Sequence, residues 1–131
     1  MMEHLLIVVR KSEFVLELTT SNGTRVFPVG IGSNPDGGDK MREGDCRTPE
    51  GEFRVVSIED SSEWEHEGER PYGPLFLRLD CPPWEGIGIH GTSEPALVGT
   101  RSSRGCVRMR NDDLLRVAEQ VTVGTRIRIV P

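Results

Sequence analysis

A cysteine and a histidine that could act together stand sixteen positions apart, Cys106 and His90, each beside a glycine. A thiol is a strong nucleophile only as its thiolate. A free cysteine, with a pKa of about 8.5, needs a base, a cation or helix-end amides to ionise near neutral pH. His90 is the candidate base. The pair therefore predicts a cysteine nucleophile, provided that the fold brings the imidazole to the thiol.

The residues around the cysteine suit this chemistry. Gly105 has no side chain, so the main chain there can approach a substrate closely, and the amides around Cys106 can stabilise a developing oxyanion. Arg104, Arg108 and Arg110 add positive potential, which favours a thiolate and an anionic or carboxylate-bearing substrate. A solvated arginine cluster without a role is the alternative.

The elements that position these residues are predicted to form one mainly β domain over residues 1–131. The chain has the length of an ordinary domain, and no internal repeat or linker divides it. Its 15 glycines and 9 prolines favour short strands joined by turns over a helical bundle. No apolar run approaches the roughly 20 residues that a membrane span needs.

The charge of the chain argues against one class of partner. The formal net charge is -5, whereas proteins that bind nucleic acid usually present a basic face to the phosphates. We therefore expect no nucleic-acid partner. The first residues show neither a basic region before their short apolar run nor a small-residue cleavage site, so no secretory signal is predicted.

The three cysteines leave at least one thiol unpaired. Cys46 and Cys81 either form a disulfide in an oxidising compartment or stay as two free, partly buried thiols. No Cys or His spacing is typical of a zinc site, and we expect neither a metal nor another cofactor. His66, which lies among glutamates, is expected to belong to a solvated loop and not to a metal site.

Alternating apolar residues predict two strands and a hairpin at the start of the chain. The strands cover residues 4–9 and 14–18. The Asn-Gly dipeptide within residues 21–24 is typical of a type I′ turn. A return strand follows over residues 25–29, in which Pro28 indicates a sheet edge or a strand end.

Two stretches without an apolar period predict long loops. Residues 30–45 are rich in glycine, proline, asparagine and aspartate, and residues 59–74 are acidic and rich in turn formers. Strands are predicted over residues 54–58, 75–80 and 87–90. The last of them carries His90 at its end, where functional groups often emerge.

One amphipathic helix is predicted over residues 112–121. Leu114 and Val117 share its apolar face, and Asn111 is suited to cap its N-terminus. Residues 126–129 alternate again and predict the last strand.

Four segments carry a resemblance to a known family. They are RTPEGEF at 47–53, IGIHGT at 87–92, SRGCVRM at 103–109 and VGTRIRI at 123–129. In this order they resemble the catalytic domain of L,D-transpeptidases, the YkuD type, over nearly the whole chain. The resemblance implies a β-sandwich or open barrel with the cysteine on a loop over the sheet, in agreement with the strands, the single helix and the long loops predicted above.

The resemblance also implies roles for individual residues. Cys106 resembles the nucleophile that accepts the acyl group, and His90 resembles its general base. The main-chain carbonyl of Gly91 would orient the imidazole, and the amides of Gly105 and Cys106 would form the oxyanion hole.

Three further residues flank the cysteine in the matching motif. Ser103 and Arg108 resemble the residues that shape the site and contact substrate. Arg104 stands where many family members have a histidine, so the role of that histidine does not transfer to it. We expect Arg104 to point along the substrate cleft or to a nearby carboxylate, or else to face solvent without a role.

The implied reaction is acyl transfer with peptidoglycan stem peptides as donor and acceptor. Cys106 attacks the carbonyl that follows the third residue of a tetrapeptide stem, D-alanine leaves, and an amine of a second stem takes the acyl group from the thioester. Water as the acceptor gives an L,D-carboxypeptidase, and a lipoprotein lysine gives attachment of a protein to the wall.

Other interpretations stay open beside this one. They are a hydrolase of another amide and a non-catalytic wall-binding domain, whereas a papain-like protease is disfavoured because the histidine precedes the cysteine. The resemblance implies the periplasm or cell envelope, and the missing secretory signal keeps the cytoplasm open. A monomer is expected.

Overall fold

Nine strands, one α-helix and two 3₁₀ turns follow one another in residues 5–131, the part of the chain that this computed structural model describes. The strands are β1 Leu6–Arg10, β2 Val15–Thr20, β3 Gly23–Gly32, β4 Gly51–Asp60, β5 Leu75–Asp80, β6 Gly88–His90, β7 Arg101–Ser103, β8 Val107–Met109 and β9 Arg126–Val130. The helix α1 is Asn111–Ala118, and the 3₁₀ turns are Lys11–Glu13 and Pro95–Leu97.

Eight of these strands form a ring. Their order is β2-β1-β9-β4-β5-β6-β8-β3, and β2 also pairs with β3, so the sheet closes on itself as a barrel. Strand β7 adds to the far end of β3. Closure leaves few free sheet edges. The predicted mainly β fold with one helix and long loops is confirmed.

The core follows from the period of two along each strand, because successive side chains point to opposite faces of a sheet. In β9, Ile127 and Ile129 are buried, whereas Arg126 and Arg128 are exposed. The helix α1 contacts β5 and β6, and its apolar face is fully buried. The helix therefore lies beside the strands that carry the candidate histidine.

Several predicted strands are confirmed, some with other ends. The strand predicted over residues 75–80 is β5, and those predicted at 54–58 and 25–29 are the longer β4 and β3. Pairing with neighbours on both sides extends these two strands beyond their apolar alternation. His4, the predicted first residue of β1, lies outside the described residues.

The predicted type I′ turn at Asn-Gly is wrong. Thr20 pairs with Gly23, so the two turn residues are Ser21 and Asn22. Gly23 has a φ of 117°, whereas Asn22 does not adopt the positive φ that a type I′ turn requires. The glycine takes up the positive φ at the start of β3 instead.

The prediction that Pro28 marks an edge or a strand end is also wrong. Pro28 lies inside β3, paired with Val15 of β2. From Val29 onwards β3 pairs with β8, and then with β7. Pro28 thus stands where the strand changes its partner, a position that accommodates a residue without an N–H group.

The predicted N-cap is wrong as well. Arg110 occupies the cap position with extended backbone, and Asn111 is the first residue of α1. The Asn111 side chain is used elsewhere, since its Oδ1 accepts the N–H of Thr92 at 2.9 Å. An asparagine predicted to serve the helix therefore holds the turn that follows His90.

The helix is shorter than predicted. It ends at Ala118, not at residue 121. The N–H groups of Gln120 and Val121 bond to carbonyls three residues back, which is a tighter turn than an α-helix makes. Val121 stays buried although it lies outside the helix.

Candidate active site

Three neighbouring strands align the predicted base with two side chains. Phe76 of β5 pairs with His90 of β6, and His90 pairs with Arg108 of β8. We call this set the histidine row. The ring of Phe76 stacks on the imidazole with an interplanar angle of 8° and a centroid distance of 5.5 Å. The aromatic contact fixes the plane of the imidazole.

A second row, the cysteine row, runs beside the first. Arg78 pairs with Gly88, and Cys106 directly precedes β8, two residues before Arg108, with its thiol beside the amide of Gly88. Cys106 and His90 are therefore diagonal neighbours on one face. From the usual strand spacing and rise, their Cα atoms lie about 8 Å apart, within reach of an imidazole.

A cleft of about 910 Å³ lies over this face. It brings together the following predicted site residues, all of which line it: His90, Ser103, Arg104, Gly105, Cys106 and Arg108. Gly91 lies behind the cleft and contributes its carbonyl group. The fold thus unites segments that the sequence separates by sixteen positions.

His90 is buried and held in one orientation. Its Nδ1 lies 2.5 Å from the carbonyl oxygen of Gly91, so Nδ1–H donates and Nε2 keeps its lone pair. Tyr72 packs edge-on against the imidazole, with the two ring centroids 5.2 Å apart. The pKa of His90 is lowered to about 4, mainly by burial, which the Gly91 carbonyl opposes and Arg108 reinforces. The imidazole is therefore neutral at neutral pH and fit to accept a proton.

The turn after His90 is tightly packed. A side chain at position 91 would collide with Asn111 Oδ1 and with Pro74, and the Oδ1 atom in turn holds the Thr92 amide. Glycine is therefore required at position 91. Sequence reasoning missed the role of Asn111, because its position before an amphipathic pattern favoured a cap.

The thiol of Cys106 is protonated at rest. It donates to the carbonyl of Gly86 at 3.3 Å. Burial raises the pKa of the Cys106 thiol, and the amide of Gly88 and nearby cations offset this only in part. The cations are Arg108, Arg78 and Lys40. A thiolate must therefore be generated by transfer of the proton to a base.

Only one of the three arginines near Cys106 in sequence is among these cations. Arg104 lines the cleft, and its Nη2 contacts Nε2 of His66 on the opposite rim. Arg104 was predicted to point along the cleft, to a nearby carboxylate or to solvent. It lies along the cleft, but its partner is an imidazole and not a carboxylate. Arg110 is exposed and does not line the cleft.

Ser103 braces the loop that carries the cysteine. Its buried hydroxyl donates to the carbonyl of Cys106 at 2.6 Å and accepts the N–H of Gly105 at 3.1 Å. The Gly105 amide is thereby engaged, whereas the Cys106 amide is bonded to no side chain of the described residues. Contact of Ser103 with substrate stays a prediction.

Two cations of the site were missed from the sequence. Lys40 comes from the long loop after β3 and is buried, with Nζ 2.9 Å from Asp45 Oδ1. Arg78 projects from β5 on the same face as Phe76. The alternation over 75–80 put Arg78 on the less apolar side of its strand but gave no sign of the neighbouring cysteine. No local pattern singled out Lys40.

All three cysteines are free, which confirms the second of the two alternatives predicted for Cys46 and Cys81. Within residues 5–131, no group of three or more His, Cys, Asp or Glu side chains is arranged to hold a metal ion. His66 contacts Arg104 and lies 3.8 Å from the carboxylate of Glu67.

The chain, whose barrel holds a cysteine and a neutral histidine at the base of one cleft, matches a known protein family. The model of the L,D-transpeptidase catalytic domain, YkuD, matches residues 4–129. The chain belongs to the L,D-transpeptidase catalytic-domain family, and the resemblance seen in the four motifs is confirmed.

Individual relatives agree with the family model. YkuD of Bacillus licheniformis is 39% identical over 85 residues, which cover 65% of this chain and 46% of the relative. YqjB of Bacillus subtilis is 38% identical over 93 residues, which cover 65% of this chain and 53% of the relative. The chain thus spans about half the length of these curated relatives.

Solved structures show the same fold at low identity. An L,D-transpeptidase from Mycobacterium smegmatis superposes with a TM-score of 0.73 at 19% identity, over 98% of this chain and 59% of the other. For L,D-transpeptidase 3 from Mycobacterium tuberculosis the TM-score is 0.72 at 16% identity, over 98% and 62%. None of the helices in the described part of the chain has the length and apolar character needed to cross a membrane.

Proposed function

We propose that this domain transfers acyl groups from peptidoglycan stem peptides to amines through a thioester on Cys106. One observation carries the proposal. A neutral, oriented imidazole and a protonated thiol lie diagonally on the floor of one cleft, in a member of the L,D-transpeptidase family. Neither group alone would point to this chemistry.

In the first step, Cys106 Sγ bonds to the carbonyl carbon after the third residue of the donor stem while its proton passes to His90 Nε2. The carbon–nitrogen bond then breaks, and His90 returns the proton to the departing amine of D-alanine. The product is a thioester. The Nδ1–H···O=C bond to Gly91 persists through the step and keeps the imidazole aligned.

In the second step, the amine of an acceptor stem attacks the thioester. His90 Nε2 takes a proton from the amine, the new carbon–nitrogen bond forms, the carbon–sulfur bond breaks, and the thiolate recovers the proton. Because burial disfavours both the imidazolium and the thiolate, charge separation is confined to the reacting complex.

The developing oxyanion needs hydrogen-bond donors that are in place before the reaction. The amide of Cys106 is the first candidate. The amide of Gly105 can contribute only after it leaves Ser103 Oγ. Arg108, whose Nε atom is buried without a partner among the described residues, is the proposed contact for a substrate oxygen beside the histidine row. A cell-envelope location and a role in cell-wall biogenesis follow from the proposed substrate.

Intact mass after incubation with a stem tetrapeptide, with and without an amine acceptor, tests the proposal. Wild type is expected to release D-alanine and carry the acyl group on Cys106, whereas Cys106→Ala and His90→Ala should form no product. Cys46→Ala is the matched control, since that thiol does not line the cleft, and it should behave as wild type.

Each product has a distinct meaning. A cross-linked dimer with the acceptor supports transpeptidation. Tripeptide alone shifts the assignment to an L,D-carboxypeptidase. An intact peptide with an unmodified thiol would overturn the catalytic proposal, and retention on insoluble wall material would then favour a wall-binding domain.

A further inference from the structure

We propose that Arg78 binds a carboxylate of the acyl donor and so selects anionic substrates at Cys106. This inference deepens the proposed function and rests on it for the identity of the donor. The carboxylate site itself is defined by geometry that holds for any ligand of the cleft.

One edge of the Arg78 guanidinium is committed to the protein. Nε and Nη2 donate to the two carboxylate oxygens of Glu59 at 2.6 and 3.1 Å, and Ser57 Oγ donates to the same carboxylate at 2.6 Å. The guanidinium also lies 4.8 Å from the ring centroid of Phe76. A planar group held by a bidentate ion pair and an aromatic face has little freedom to turn.

The other edge is available. Nη1 makes no hydrogen bond to any residue in 5–131, and the Arg78 side chain is 34% exposed where it lines the cleft. A guanidinium can take one carboxylate on its Nε edge and a second on the edge formed by its two Nη atoms. Glu59 therefore acts as a positioning residue that presents the free edge to the cleft.

The available edge and the nucleophile face the same cleft, and Arg78 and Cys106 are close enough for their charges to interact. The residue between Arg78 and Cys106 in the cysteine row is Gly88, and a side chain there would collide with the ring of Phe76 and the carbonyl of Leu77. From the usual strand spacing, the Cα atoms of Arg78 and Cys106 are about 10 Å apart. Since neighbouring residues of a peptide are about 3.8 Å apart, a carboxylate one residue from the scissile carbonyl fits this gap.

The charge of the cleft supports the same assignment. The remaining lining includes six glutamates: Glu43, Glu65, Glu67, Glu69, Glu85 and Glu94. An anionic group would be repelled by them and drawn to the cations around Cys106. Two carboxylates of a stem peptide meet this description, the terminal one of D-alanine and one carried by a diaminopimelate residue at the third position.

The first test needs no peptidoglycan. Cys106 is alkylated with iodoacetate or with its neutral analogue iodoacetamide, and the rate of each is read from the mass of the Cys106 peptide. The Sγ–carbon bond forms, iodide leaves, and the thiol proton passes to buffer. Arg78→Gln should lower the ratio of the iodoacetate rate to the iodoacetamide rate by about 10-fold, and Arg78→Lys by less.

A matched control comes from the opposite side of the barrel. Arg10 also forms an ion pair within the sheet, with its Nε 3.1 Å from the carboxylate of Glu17 and a similar exposure of 41%, but it does not line the cleft. Arg10→Gln should leave the ratio unchanged. An unchanged ratio in folded Arg78→Gln would overturn the proposal, because a residue that only stabilises the strand or the thiolate affects both reagents alike.

The second test compares three donors: a diaminopimelate tetrapeptide, its C-terminal amide, and a tetrapeptide with lysine at position three. Wild type should use one of the two altered donors with a kcat/KM about 10-fold lower, and the carboxylate missing from that donor is the one that Arg78 binds. Arg78→Gln should lose this preference. Equal use of all three by wild type contradicts the inference. If wild type uses none of them, the proposed function fails, and the alkylation ratio still decides the carboxylate site.

Discussion

The two loops that frame the cleft are held in opposite ways. The loop over residues 33–50 is tied by buried charges, and the loop over residues 61–74 by aromatic packing and one contact across the cleft. In the first, the carboxylate of Asp45 is buried and accepts from Lys40 Nζ and from the amides of Met41, Arg42 and Arg47. Burial would raise the pKa of this carboxyl, but these bonds hold it well below its usual range.

A second buried cation fastens the same loop to the barrel. Lys11 Nζ donates to the carbonyls of Gly38 and Thr48 at 2.6 and 2.7 Å and lies 3.0 Å from the carboxylate of Glu50. These contacts join the 3₁₀ turn after β1 to the middle of the loop at Gly38 and to its end at Thr48 and Glu50. The wall of the cleft that carries Lys40 is therefore fixed before any substrate binds.

The acidic loop over residues 61–74 has few such bonds. Ser61 Oγ donates to the carbonyl of Gly73 at 3.0 Å and closes the base of the loop. Trp64 and Tyr72 pack edge to face, with their ring centroids 5.7 Å apart, and Arg104 reaches His66 from the opposite rim. Most of the remaining side chains are exposed. One wall of the cleft is therefore preorganised, while the other can adapt to a ligand.

The largest expected effect comes from Asp45→Asn. The change leaves Lys40 as an unpaired buried cation, which should lower the free energy of unfolding by about 3–5 kcal/mol. Urea denaturation measures this. Asp36→Asn, an exposed position in the same loop, is the control and should change stability by less than about 0.5 kcal/mol. Equal effects of the two variants would show that the buried carboxylate does not hold this loop.

Acid should weaken the other wall. The pKa of His90 is lowered to about 4 from an ordinary 6.5, so between these values the unfolded chain binds a proton that the folded chain does not. Stability contributed by neutral His90 is therefore present above about pH 6.5 and falls by up to about 3 kcal/mol towards pH 4. Because Tyr72 packs on His90, hydrogen exchange should rise in residues 61–74 before it rises in 33–50.

The control for the acid effect is His90→Gln, which has no group that titrates in this range. Between pH 6.5 and 4, the free energy of unfolding of this variant should lack the decrease that His90 causes. It should change only through the other titrating groups, which wild type also has. A wild-type profile as flat as that of the variant would contradict the assignment.

Lys11→Met should have an intermediate effect on the fixed wall. Methionine keeps the apolar stem but leaves the carbonyls of Gly38 and Thr48 without their donor, at a cost of about 2 kcal/mol in the free energy of unfolding. Thermal and urea unfolding measure the change. A loss below about 0.5 kcal/mol would mean that the loop is held without this cation.

The smallest effect is expected for Arg104→Ala, which removes the contact across the cleft. Global stability should change by less than about 0.5 kcal/mol, because the residue is exposed. Cleavage by a glutamyl endopeptidase after Glu65, Glu67 or Glu69 should rise about 2-fold, while cleavage after Glu43 in the other loop stays constant. Equal acceleration at both sites would show that the contact has no local role.

Local periodicity predicted much of this fold. The alternation over residues 75–80 and 126–129 located β5 and β9, and the 3.6-residue pattern located α1. The motif residues, read through the family resemblance, located His90 and Cys106. These features depend on neighbours in sequence or on a contiguous motif.

What the sequence did not predict depends on register and on side-chain geometry across strands. Arg78 reaches the site because β5 pairs with β6 at one particular offset, and Phe76 is buried because its ring finds His90 on the next strand. Asn111 bonds to Thr92 across the fold and not to its own helix. A one-residue slip in pairing would move each strand's side chains to the opposite face, so such contacts cannot be inferred from one strand alone.

The parallel pairing of β1 with β9 has a consequence for the synthesis of the protein. Ile7 lies beside Ile127, and β9 is inserted between β1 and β4, so the ring stays broken until the last of its strands has left the ribosome. The domain must therefore complete its barrel after translation of Val130, with β1 and β4 exposed as unpaired edges until then.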